Sequence, residues 1–436
     1  ARKQARLQKA IAESKAIREL AGNPLLLTMM AILNRNQELP RDRPELYNQA
    51  SRVLLHQWDV ERNLIEQRLD PVTIDYRDKQ TMLRKVAYHM QSGEAGLAGN
   101  IISAQDLEAV LKKHLESMEV EQPRVVAKLM IKQLRERNFI LCFLGADNYA
   151  FVHRTFLEYF AAWSFVWQFE KTQELSFEEL LNETFKEHWH EQSWHEVLRL
   201  TAGMIDQSFL ENIVNYLLCQ DGESADLELE NRFANIFLAA DCYFESRGGT
   251  SLSKIEIDLK KKLPELIPYI YTYGNFTSFR IGMKSVAYTA RLLGRNQETL
   301  NYLKRVFEDD STGFVSFAVI EAIDSDYRDE DNLLPWLEKI LAASKQFMFE
   351  EIVENIFSYI ENSLGGDFKN WLKGHVKSNF HPIVRTEAIQ ELARGWEEDP
   401  DTLPWLKTRA QRDEENVVRM DAVQELAKGW KDDNGR

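Results

Sequence analysis

The chain has 436 residues, 44% of them hydrophobic and 28% charged, enough apolar material for about two to four domains with their own cores. Its net charge of -15 argues against a general nucleic-acid binder, which needs a surplus of Lys and Arg. No apolar run approaches the roughly 18 residues of a membrane span. Cys142, Cys219 and Cys242 stand far apart in apolar contexts and read as reduced core thiols of a cytoplasmic protein.

Helix signals dominate from the start. The opening has neither an initiator Met nor a signal peptide, and its abrupt helical pattern reads as a piece of a longer protein. Residues 5–20 predict one polar helix ending at Ala21-Gly22. Asn23 then caps a new helix with Pro24 at its first position, where no backbone donor is needed. The run Leu25 to Leu33 is apolar all round and predicts a buried helix. Pro40 and Pro44 bracket a loop, and Leu46 to about Gln67 predicts a long amphipathic helix. Helices follow over Thr81–Gln91, Ala104–Met118 and Arg124–Arg137, the second with a Ser103/Asp106 capping box. Phe139–Leu144 and Tyr149–His153 are β-rich runs around Gly145-Ala146-Asp147-Asn148, the pattern of a hairpin. Three helices and a hairpin is the order of a winged helix. Thr155 and Glu158 form a capping box for the helix after it.

From about 176 to 270 the chain reads as helical without a period. A repeat then appears: Val384-Arg385-Thr386-Glu387-Ala388 recurs as Val418-Arg419-Met420-Asp421-Ala422, 34 residues on. The alternate helix repeats at Trp336, Trp371 and Trp405. Two helices per unit at this period predict an α-solenoid. Asp413, Arg419, Ala422 and Leu426 resemble the HEAT spacing rather than the tetratricopeptide one. The tryptophans recur in register with leucine and read as core. Glu397-Glu398-Asp399 and Asp432-Asp433 read as solvated turns.

No Walker A loop is present; the nearest fragment, Gly282-Met283-Lys284-Ser285, lacks the upstream glycine a phosphate cradle needs. No Ser/His/Asp or Cys/His arrangement stands out. His188, His190 and His195 could gather a zinc ion, but on a helix positions 188 and 190 point about 200° apart. No metal site is therefore expected. His153 sits at a strand end just before a helix N-terminus, where free backbone donors favour an anion.

Two segments resemble a known family. Ala21-Gly22-Asn23-Pro24-Leu25-Leu26-Leu27 is similar to the glycine-x-proline sensor of STAND ATPases. Phe151-Val152-His153-Arg154-Thr155-Phe156-Leu157-Glu158-Tyr159-Phe160-Ala161-Ala162 is similar to the end of the winged helix of NACHT proteins, and Trp194 to Gly203 resembles the helix that follows it in bacterial members. The resemblance implies a mainly α fold: a helical lid over 1–75, a winged helix over 76–165, a helical linker over 166–275 and HEAT-like repeats over 276–436. It implies that Pro24 packs on adenine and His153 touches the β-phosphate of ADP. ADP or ATP and magnesium would be held with an ATPase core outside this chain, so no cofactor and no catalysis are expected of the chain alone. Expected partners are that core, a protein trigger on the repeats, and further copies on activation, in a signalling role tied to antiphage defence.

Two rivals stand beside this reading. One is a repeat scaffold for protein interaction with no nucleotide role, which a Walker A motif upstream in the gene would dismiss. The other is a DNA-binding winged helix reading through Arg124, Lys128, Lys132, Arg135 and Arg137. Ala127, Leu129, Met130 and Leu134 on the same helix need burial, and the overall field opposes DNA.

Overall fold

The computed structural model describes residues 2–35, 38–40, 42–57, 74–93, 100–136, 138–220, 232–246, 253–268, 276–310, 314–326, 333–342, 350–375 and 380–430. The fold is mainly α, with one small sheet, in two compact units, 1–255 and 256–436. Among the described residues, no helix is long and apolar enough to cross a membrane.

The first unit opens with α1 (Arg2–Glu13) and α2 (Lys15–Ala21). The single helix expected over 5–20 is thus broken. Ser14 takes an extended conformation, and its hydroxyl accepts from the Ile17 amide as the cap of α2. In α3 (Pro24–Leu33) Asn23 is the N-cap and Pro24 opens the helix, as the sequence indicates. This helix is not buried all round: Leu26, Met29, Met30 and Leu33 are in the core against α2 and the next helix, whereas Leu27, Thr28 and Ala31 are exposed. That helix, α4 (Arg43–Arg52), passes into a π turn over Val53–Gln57. The remainder of the long helix expected to Gln67 lies outside the described residues.

Next come α5 (Tyr76–Gln91), β1 (Ile102–Ser103), α6 (Ala104–Ser117), α7 (Pro123–Glu136), β2 (Leu141–Gly145), β3 (Asn148–Phe151) and α8 (Arg154–Glu170). Ser103 caps α6, but Asp106 returns to the Ser103 hydroxyl rather than its amide, so only half of the expected box forms. The hairpin turns through Ala146 and Asp147, both at positive φ, as a tight two-residue turn requires. β1, too short to leave a pattern in the sequence, adds the third strand in the order β1-β3-β2. Asn100 extends that edge: its side chain exchanges hydrogen bonds with the Phe151 carbonyl (2.9 Å) and amide (3.1 Å). Buried Asn138 donates to the Leu54 carbonyl at 2.7 Å, which ties the hairpin to the end of α4.

α8 begins at Arg154, one residue earlier than the expected cap. His153 occupies the cap position and makes no side-chain cap bond. Thr155 is turned inward towards Tyr47, and Glu158 pairs with Arg154 at 2.7 Å. The unit continues through α9 (Phe177–Leu181), α10 (His195–Met204), α11 (Gln207–Leu218) and α12 (Ala234–Glu245). Of the three cysteines expected in the core, only Cys242 is buried. Cys142 points partly outward from β2, and Cys219 is exposed just past the last turn of α11.

The second unit takes in α13 (Ser253–Lys262) from residue 256 on, then α14 (Phe276–Leu293), α15 (Gln297–Asp309), α16 (Phe314–Asp326), α17 (Leu333–Ala342), α18 (Glu350–Leu364), α19 (Phe368–His375), α20 (Pro382–Gly395), α21 (Thr402–Arg412) and α22 (Asn416–Gly429). α14, α16, α18, α20 and α22 pack one on the next, with the shorter helices beside them. The repeat tryptophans pack into this core or against it. Trp371 is buried and donates to Glu338 at 2.7 Å, while Trp336 and Trp405 are half-buried. Asp399 is more than a solvated turn, since it pairs with Lys369 (2.5 Å) and Lys373 (3.1 Å), which hold its carboxyl well below the usual range. Asp432 and Asp433 lie outside the described residues.

Ala388 and Ala422 are both fully buried where α20 and α22 meet their neighbours. Ala388→Arg is expected to destabilise the repeats by about 2–4 kcal/mol through overpacking and charge burial. Ala422→Arg should cost less, because α22 packs on α20 and α21 whereas α20 packs on α18 as well. Hydrogen exchange is the check: protection over 350–430 equal to wild type in Ala388→Arg would refute the packing argument.

Candidate functional site

The two residues singled out from sequence, Pro24 and His153, lie 129 positions apart and are brought together by the residue between Gly22 and Pro24. The Asn23 side-chain oxygen accepts from the Leu25 (3.0 Å) and Leu26 (3.3 Å) amides, which fixes the orientation of the amide group. Its Nδ2 then lies 3.2 Å from His153 Nδ1. An amide nitrogen only donates, so Nδ1 is the acceptor and the ring proton rests on Nε2. Burial pushes the His153 pKa down, which favours the neutral imidazole that this bond needs. His153 is half-buried and Pro24 exposed. The α3 amides of Leu25 and Leu26 are thus taken by Asn23, which leaves the imidazole N–H beside the N-terminus of α8, which no side chain caps. A donor at a helix N-terminus suits an anion.

Residues 43–165 match the family described as the winged helix-turn-helix domain C-terminal to NACHT. This stretch is a NACHT-associated winged helix. No curated protein and no solved structure matches the chain. The matched segment begins at Arg43, the first residue of α4. The buried bond from Asn138 to Leu54 lies within it. The description of that family places such a domain C-terminal to a NACHT domain.

The winged helix is joined to the helices after it by a buried charge network that the sequence did not reveal. Arg43 pairs with Glu196 on α10 and with Glu245 on α12 at 3.1 Å, and Arg199 adds contacts to Glu196 and Glu245, both at 3.5 Å. Burial alone would lower the Arg43 pKa, but the two carboxylates outweigh it and raise it. Burial raises the Glu245 carboxyl, with Arg43 and Arg199 opposing. The segment Trp194 to Gly203 holds Glu196 and Arg199. Gly203 is required by the close approach, since a Cβ there would lie 2.7 Å from Glu245 Cγ. Tyr47, pushed up to about 12 by burial, lies beside Arg43. Nothing local in the sequence marks Arg43, because its partners lie 153 and 202 residues away.

The three histidines considered for zinc have separate tasks. His188 Nδ1 meets Glu191 at 2.8 Å and its ring stacks on Trp194 at 3.8 Å. His195 Nε2 meets the Trp189 carbonyl at 2.9 Å, and His190 packs edge-on against Trp189. On α7, Arg124 (2.6 Å) and Lys128 (3.7 Å) pair with Glu108, and Arg135 pairs with Glu136. Arg137 lies outside the described residues.

Among the described residues, Glu350, Glu354 and Glu387 bring carboxylates close enough to share a cation. Their effect without one is electrostatic. Burial, reinforced by Glu350, pushes Glu387 up to about 8. A carboxyl raised from its usual value adds stability that is complete below about pH 4.5 and fades as pH climbs towards 8. Glu387→Gln is expected to flatten the pH dependence of unfolding between pH 5 and 8, by on the order of 2 kcal/mol. Melting curves of both forms at pH 5 and pH 8 test this; identical slopes would show that Glu387 titrates normally.

Proposed function

We propose that this chain is the regulatory and sensor part of a NACHT-family signalling ATPase of the STAND type, acting in the cytoplasm, with bacterial antiphage defence as its setting. In this reading Pro24 packs on the adenine of ADP and the His153 Nε2 proton is donated to the β-phosphate. The phosphate loop and the magnesium belong to an ATPase core, so this chain by itself neither hydrolyses ATP nor holds nucleotide tightly. The 34-residue helix pairs serve as HEAT-like repeats that receive a protein trigger. The trigger breaks the ADP-bound arrangement, nucleotide exchanges, and the molecules oligomerise; ligand and partner thus bias one two-state element.

The observation that carries the reading is the hydrogen bond from Asn23 to His153. It unites the sensor-like turn and the winged-helix histidine, two segments for which the family resemblance implies the same nucleotide. It also leaves Nε2 as the imidazole's donor.

The test joins this chain to a NACHT ATPase core in one polypeptide and follows release of bound ADP. A single charge-assisted hydrogen bond contributes about 1.5–3 kcal/mol, so His153→Ala should speed ADP loss roughly 10- to 150-fold. Unchanged release would make His153 a structural residue only, and tight ADP binding by this chain alone would contradict the division of labour.

A further inference from the structure

We propose that the cavity enclosed by α5, α6 and α8 binds a small phosphate ester. It measures about 560 Å³ and is lined by Arg84, Lys85 and Tyr88 of α5, Lys113 and His114 of α6, and Trp167 of α8. A ligand pocket is typically about 300–1,000 Å³, so there is room for an organic group as well as the anion. The chain carries a net charge of -15, yet this lining sets three permanent cations against one carboxylate, Glu174.

Arg84 is the strongest pointer. It is 3% exposed, and its guanidinium lies 3.8 Å from the Trp167 ring centre and 4.7 Å from that of Trp163. Nη2 donates to Thr81 Oγ1 at 2.8 Å, whereas Nη1 has no hydrogen-bond partner and no carboxylate pairs with it among the described residues. Burial without a counter-charge lowers its pKa to about 10. A buried cation without a counter-charge is costly and hence rare.

His114 repeats the pattern. Neither ring nitrogen has a hydrogen-bond partner among the described residues, and burial, with Lys85 and Arg84 nearby, disfavours its charged form. Lys85 and Lys113 are exposed and make no ion pair among the described residues. Donors on three side-chain types thus converge on one space. A carboxylate offers two oxygens and one charge; a phosphate monoester offers three oxygens and up to two charges, which suits a guanidinium fork flanked by two ammonium groups. Tyr88 and Trp167 supply aromatic surface for the ester's organic part. The site is separate from the Asn23–His153 pair and does not rest on the proposed role of that pair.

Phenyl phosphate is the probe, titrated into the whole chain while tryptophan fluorescence and heat are followed. Saturable 1:1 binding is expected. The double variant Lys85→Ala/Lys113→Ala removes two exposed side chains that the fold does not need and should weaken binding about 10-fold or more. His153→Ala should leave it unchanged. Arg84→Lys, checked for folding by circular dichroism, should weaken binding although the charge is kept, because the fork is lost. Absence of saturation up to about 10 mM, or equal affinity in the double lysine variant, would overturn the proposal. Loss of binding in His153→Ala would also overturn it, by moving the anion to the other site.

Discussion

Asp413→Ala is expected to destabilise the second unit by about 3–5 kcal/mol, the range seen when one member of a buried ion pair is removed. Asp413 accepts from Arg385 Nη2 at 2.8 Å and from Arg385 Nε at 3.2 Å, a two-pronged contact between the start of α20 and the end of α21. Both side chains are almost wholly buried, at 3% and 0% exposure. The same carboxylate receives the Glu415 amide at 3.1 Å, and its backbone carbonyl accepts from Arg419 at 2.6 Å. Arg385 and Arg419 are equivalent residues of successive repeats, so Asp413 is the knot between two units. Alanine would leave the Arg385 guanidinium buried without the carboxylate that neutralises it, although the Phe380 carbonyl still accepts from Nη1. The loss should be mostly repaired by Arg385→Met/Asp413→Leu, in which no buried charge remains. Urea unfolding of the three variants decides it: a loss below about 1 kcal/mol in Asp413→Ala would mean that water reaches the pair.

Arg43→Met is expected to have a comparable effect on the first unit, about 3–5 kcal/mol, with a marked pH dependence. Methionine fills much of the same space but leaves Glu196 and Glu245 facing each other with Arg199 as their shared cation. The Glu245 carboxyl, already raised by burial, would rise further. A raised carboxyl adds stability at low pH that disappears as pH climbs, so the variant should be close to wild type at pH 5 and clearly weaker at pH 8. Hydrogen exchange should locate the loss in 195–204 and 234–245, the helices that Arg43 holds against α4. A pH-independent deficit would show that packing, not charge, is what Arg43 supplies.

Much of the local structure could be read from the sequence. Asn23 and Pro24 mark a helix start because a side-chain oxygen and a missing N–H both answer the unpaired amides of a first turn. The hairpin announced itself through a Gly/Ala/Asp/Asn turn between two β-rich runs, and the repeat through residues recurring at one interval. These signals are short-range, so a linear pattern carries them. The family was also legible through residues 151–162, because that motif is contiguous.

Other features depended on distance in the fold. Ser14 breaks a helix that the apolar pattern would continue, since a capping hydroxyl competes with the helix for the same amide. Leu27 and Ala31 are exposed because α2 and α4 cover the opposite face of α3, and no local periodicity counts neighbours. The Thr155 cap failed because burial beside Tyr47 draws that side chain inward. Arg43, Glu196, Glu245, Arg84 and His114 look in sequence like ordinary surface residues. Only packing removes water from around them, and the removal of water turns an exposed ion into one that must find a partner. The sequence by itself therefore determined the elements, the repeat and the winged-helix motif. The tertiary structure decided which charges are buried, since burial depends on segments that meet across many tens of residues of chain.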